Sequence, residues 1–138
     1  MSKTKDQRTL EDILQGIAEI LFPAEEVPPR VTLTSADCNG DTPLHVFLWR
    51  KDPYAARVLI AHGANVNAIG DMGETPLHVA VRDASADTIA ALLAAGARED
   101  IVSEFDQTPL QLAQLMGRKS VYREAKSIAR DLKHAKRA

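Results

Sequence analysis

The chain has 138 residues, 45% of them apolar, and a formal net charge of −2. That length suits a single domain burying roughly two-thirds of its unfolded surface. One cysteine, Cys38, excludes an intramolecular disulfide, no cluster has metal-ligand spacing, and no segment approaches the ~20 apolar residues needed to cross a bilayer.

The first element runs from Leu10. Leu10, Ile13, Leu14, Ile17, Ile20 and Leu21 fall on one helical face, Thr9 and Asp12 resemble a capping box, and Pro23 ends the helix. Charges interrupt every stretch from Met1 to Ile20, so no signal-peptide run is expected and a cytoplasmic location is. The stretch from Pro23 to Arg30, with three prolines and two glutamates, is expected to be a loop; a specific binding loop is the alternative.

From here the chain repeats. Thr42-Pro43-Leu44-His45 returns as Thr75-Pro76-Leu77-His78 and as Thr108-Pro109-Leu110-Gln111, at a constant 33-residue step. His62-Gly63-Ala64 and Ala95-Gly96-Ala97 keep the same step. Each threonine can cap a helix whose first residue is proline, a position where the missing N–H had no partner. A second helix follows in each unit, started by Asp52-Pro53 or Ser85, with buried stripes Val58, Leu59, Ile60 and Ile89, Leu92, Leu93. Gly63 and Gly96 end those helices in the left-handed conformation. A short extended link, Asn65 to Ala68, and a turn carrying Gly40 or Gly73 complete the unit. A fixed period of this size predicts stacked units that bury their apolar faces against one another.

The TPLH phrase, the Gly63 to Ala68 run and the 33-residue step resemble the ankyrin repeat family. The resemblance implies an all-α repeat solenoid, an ankyrin stack of helix-turn-helix units joined by hairpin turns, with capping helices at both ends. Its expected parts are residues 1–36 as N-terminal cap and proline-rich loop, repeats at 37–69 and 70–102, and a degenerate C-terminal capping repeat at 103–138 with a long basic helix. In the third unit Asp106 stands where the others have glycine, Gln111 replaces histidine and no Gly-Ala pair follows, as suits a terminal cap. If Ile17 to Phe22 is the second helix of a degenerate first unit, its link from Phe22 to Thr42 is longer than the corresponding links, Ile60 to Thr75 and Leu93 to Thr108.

The resemblance implies that His45 and His78 hydrogen-bond the turns, so neither is expected to be catalytic. No nucleophile elbow or phosphate loop is present. No enzyme activity, cofactor, metal or small-molecule substrate is expected; an enzyme with a dispersed site is the competing class. Residues 31–117 carry 11 acids and 5 bases, a balance of −6, whereas residues 118–138 carry 8 bases and 2 acids, a balance of +6. Asp37, Asp41, Asp71, Glu74, Glu104 and Asp106 lie in the turns and are expected to form an acidic row along one edge. Such a row attracts a basic partner or simply keeps the turns solvated.

In ankyrin stacks the concave face is built from these turns and the ends of the first helices. The residues expected to bind a partner protein are therefore Trp49, Asp41, Asp71, Met72, Glu74, Arg82, Glu104 and Phe105. The last helix carries a thin stripe of Val121, Ala125, Ile128 and Leu132, with Lys119, Arg123, Lys126, Arg130, Lys133 and Arg137 on a broad face away from it. It reads as a cap, and neither nucleic acid nor membrane is an expected partner. The function expected is non-catalytic protein–protein interaction, as a scaffold in a larger assembly or, more sharply, as an inhibitor of a basic enzyme such as a toxin immunity protein.

Overall fold

Each threonine–proline step opens a helix. The computed structural model describes residues 7–27 and 29–137, and among these the regular structure is helical, with no strand. The inner helices are α3 (Pro43–Trp49), α5 (Pro76–Asp83) and α7 (Pro109–Leu115). Proline holds the first position of each, and the Thr75 and Thr108 hydroxyls accept from the amides of His78 and Gln111 at 3.3 and 3.2 Å. The outer helices are α4 (Pro53–Ala61), α6 (Ala86–Ala94) and α8 (Lys119–Arg137). The Asp52 carboxylate caps α4 at the Ala55 amide, 3.2 Å, and Ser85 caps α6 at Thr88, 3.3 Å. Gly63 and Gly96 end α4 and α6 at φ +91° and +100°, a region where a Cβ is strained.

The helices stack in two layers. α3, α5 and α7 pack side by side, α4, α6 and α8 do the same behind them, and the core runs continuously between the layers. Leu44, Leu59, Leu77, Ile89 and Leu92 are at most 1% exposed, so no unit buries its apolar face alone. Among the described residues every buried side-chain nitrogen or oxygen has a hydrogen-bond partner.

The N-terminal segment differs from a single helix. It forms α1 (Leu10–Gln15) and a short α2 (Ala18–Leu21), broken at Gly16 and Ile17. Thr9 and Asp12 do form a capping box. α1 packs against α4 in the outer layer. Arg8 joins it there, pairing with Asp52 at 2.9 Å, while the Tyr54 hydroxyl donates to the Arg8 carbonyl at 3.2 Å. Ile20, expected on the buried face, is 49% exposed because the break rotates it outward. The end of the proline stretch is fixed: Gln15 brackets the Val31 backbone, donating to its carbonyl at 2.7 Å and accepting its amide at 3.0 Å. Pro28, within that stretch, lies outside the described residues.

At the other end, the packed face of α8 is rotated from the expected stripe. Tyr122, Ala125 and Ala129 are buried, Val121 and Ile128 are only half-buried, and Leu132 is exposed. The Tyr122 hydroxyl donates to Glu99 at 2.7 Å and its ring is 1% exposed. Arg118 closes the last unit by donating to the Val81 carbonyl at 3.0 Å and to the Ala84 carbonyl, capping the end of α5.

Candidate partner-binding face

The turns that join the units are built alike. The amides of Asp37, Gly70 and Ser103, each one repeat step from the next, donate to the carbonyls of Asp41, Glu74 and Gln107 at 3.0, 2.8 and 2.9 Å. Gly40 and Gly73 take φ +90° and +71°, and Asp106 takes +60° at the same position, which explains how an aspartate stands in for glycine there. A Cβ on Gly40 would lie 2.8 Å from the Ile69 carbonyl oxygen of the neighbouring turn, so the turns also touch.

The histidines tie one turn to the next. The Thr42 amide donates to His45 Nδ1 at 3.1 Å, which leaves the ring proton on Nε2, directed at the Glu74 carbonyl 3.0 Å away. His78 repeats this with the Thr75 amide at 3.1 Å and the Gln107 carbonyl at 2.9 Å. Both rings are fully buried, and burial lowers the pKa of each below the ordinary histidine value. They are neutral fasteners, with both nitrogens engaged and no route to a substrate. Gln111 copies half of the device: its Oε1 accepts from the Thr108 amide at 2.9 Å.

Two residues expected in the acidic row lie inside the structure. Asp41 is 2% exposed and accepts the Asp71 amide at 2.9 Å, and burial raises its pKa. Glu74 is 5% exposed and meets Arg82 in a bidentate pair. Asp41, Glu74 and Arg82 therefore fasten the stack, and their charges do not form a free rim. Asp37 is also engaged, accepting the amides of Asn39 and Asp41 at 2.8 and 3.0 Å. Of the turn carboxylates, Glu104 and Asp106 are exposed and Asp71, like Asp37, is half-buried.

The remaining expected residues do reach solvent on the turn side. Trp49, Met72 and Phe105 are 45%, 48% and 56% exposed, although Trp49 also leans on His45 at a ring separation of 6.2 Å. Ile69 and Val102, one unit apart, are about half exposed beside them and are absent from the residues that sequence reasoning selects. The signal for them is the repeat itself, since Met72 and Phe105 keep the same step three positions later. Two adjacent turns thus present matched apolar pairs, Ile69 with Met72 and Val102 with Phe105, with carboxylates between and beside them.

No helix among the described residues is long and apolar enough to cross a membrane. No curated protein matches the chain. The sequence model described as ankyrin repeats (3 copies) matches residues 13–105, two-thirds of the chain, starting within α1 and ending in the third turn. Repeats of this kind generally serve as protein–protein interaction modules and are typically non-catalytic. The chain belongs to the ankyrin repeat family.

Proposed function

We propose that the stack binds a partner protein through its concave, turn-side face, with Trp49, Ile69, Met72, Val102 and Phe105 as the apolar centre and Asp71, Glu104 and Asp106 as the rim. The observation that carries this reading is the pair of neighbouring turns exposing large apolar side chains at equivalent positions. Solvated turns have no need of such residues, and aromatic and methionine side chains are enriched where interfaces are most buried. The rim favours a basic partner by long-range attraction. Binding is steric: a rigid surface covers or positions the partner, and no bond is made or broken. Cys38 is exposed and unpaired, which suits a reducing compartment, so the cytoplasm is the proposed setting.

The test is affinity capture from native lysate with mass spectrometry, comparing the wild type with an Asp71→Lys, Glu104→Lys, Phe105→Ser variant. These positions avoid the buried Asp41 and Glu74. A basic protein retained by the wild type and lost by the folded variant supports the reading; equal retention by both removes the turn face from it. Assaying the captured protein with and without the chain then separates an inhibitor from a scaffold.

A further inference from the structure

The last helix carries a second surface, of opposite sign. Lys119, Arg123, Lys126, Arg130 and Lys133 are all exposed on α8 and follow one another at alternating four- and three-residue steps. At 100° per residue they share an arc of about 80° and form a ridge about 21 Å long. The side chain of Arg137, which continues the pattern, lies outside the described residues. Among the described residues only Lys126 of these five meets a carboxylate, that of Glu99 at 3.4 Å. The two acids of α8, Glu124 and Asp131, lie roughly 120–140° round the helix from the middle of the ridge. Four cations are therefore left without a counter-charge along one line.

Beside the ridge the stack is open. Leu44 and Leu77, on the first two inner helices, are 1% and 0% exposed, each with a further unit beyond it. Leu110 holds the same position on α7, the last inner helix, and is 37% exposed. It lines a shallow depression of about 200 Å³ together with Tyr122 and the ridge residues Lys119, Arg123 and Lys126. An apolar spot and a row of cations at helical spacing thus lie where another unit would stack.

We propose that this end face is a second docking surface, for an acidic helical segment of a partner protein. A helix with carboxylates at three- and four-residue steps faces the ridge in register, and an apolar residue beside them covers Leu110. A lipid surface fits less well, because Ser120, Ser127 and His134, not apolar side chains, flank the ridge on its outer side. A single-stranded nucleic acid fits less well too, because the ridge offers no exposed aromatic for bases to stack on. With the turn face drawing a basic partner, two oppositely charged surfaces make the chain a bridge between two proteins.

The probe is a fluorescein-labelled synthetic helical peptide carrying glutamates at alternating three- and four-residue spacing with adjoining leucines, beside a scrambled peptide of the same composition. Anisotropy is read at near-physiological salt. The in-register peptide is expected to bind at least tenfold tighter than the scrambled one. The Lys119→Gln, Arg123→Gln, Arg130→Gln, Lys133→Gln variant is expected to weaken it about tenfold, since each exposed pair contributes up to a few-fold. Leu110→Ser, a single change outside the ridge, is expected to weaken it several-fold. Amide chemical shifts are expected to move on α7 and α8. Equal binding of both peptides, no binding of either, or indifference to the variants overturns the proposal. Tighter binding to phosphatidylserine vesicles or to a single-stranded oligonucleotide, lost in the same variant, overturns it in favour of that ligand.

Discussion

Gly70 sits at the junction of two turns, and replacing it tests how they are fastened. Its φ of −105° is open to any residue, so Gly70→Ala carries no backbone strain. The added methyl is a different matter. It would lie 2.2 Å from Asp41 Oδ1 and 2.9 Å from His45 Nε2, both buried and both bonded. Making room displaces the Asp41 carboxylate from the Asp71 amide and the imidazole from the Glu74 carbonyl. Two buried groups left unsatisfied cost about 1–3 kcal/mol each, so the expected loss is about 2–6 kcal/mol. Gly63→Ala provides the contrast: it has φ +91° but nothing within 4 Å of the new methyl, and strain alone costs about 1–2 kcal/mol. Urea unfolding followed by circular dichroism measures both, and at an m-value of about 1.5 kcal/mol/M the Gly70→Ala midpoint falls by roughly 1.3–4 M. A Gly70→Ala midpoint no lower than that of Gly63→Ala would refute the account of the junction.

Leu77→Ala, in the middle inner helix at 0% exposure, is expected to cost about 2–5 kcal/mol; a midpoint shift equivalent to less than ~1 kcal/mol would mean that the units do not share one core. Burial lowers the pKa of His45 and His78 in the folded state, so below the ordinary value of 6.5 the unfolded chain binds more protons and stability falls as pH drops. Asp41, raised by burial, works in the opposite sense at lower pH, gaining stability for the fold as it protonates. Thermal melts from just above neutral pH down to about one unit below the ordinary histidine value are expected to show a falling midpoint in the wild type. The slope is expected to be shallower in His78→Gln, which keeps the bond to Thr75 as Gln111 does to Thr108; an identical slope would remove His78 from the effect. Tyr122→Phe removes the donor to Glu99 and is expected to cost about 0.5–1.5 kcal/mol by urea unfolding, with a change below the error of the fit excluding that bond as a fastener of α8.

Much of this was legible in the residues. The threonine–proline steps and the glycines at helix ends are local signals, decided within a few residues, and the helices begin and end where those signals lie. The depth of a charged side chain is not local. Asp41 and Glu74 look like any turn carboxylates in sequence, and only the neighbouring Asp71 amide and the arrival of Arg82 from the end of α5 turn them into interior fasteners. The same holds for α8, where a stripe chosen by hydrophobicity missed Tyr122, whose hydroxyl is buried at no penalty because Glu99 waits for it. The split of the N-terminal helix at Gly16 carries a weak signal, a single glycine, that its apolar period obscured.

The binding face itself is tested most directly by photo-crosslinking. A photoreactive amino acid placed at Phe105 or Trp49 on the turn side, or at Arg57 on the exposed side of α4, is irradiated in lysate and the adducts are identified. The account predicts the same partner crosslinked from Phe105 and Trp49 and not from Arg57. Crosslinks to one partner from Arg57, with none from the turn side, would contradict it.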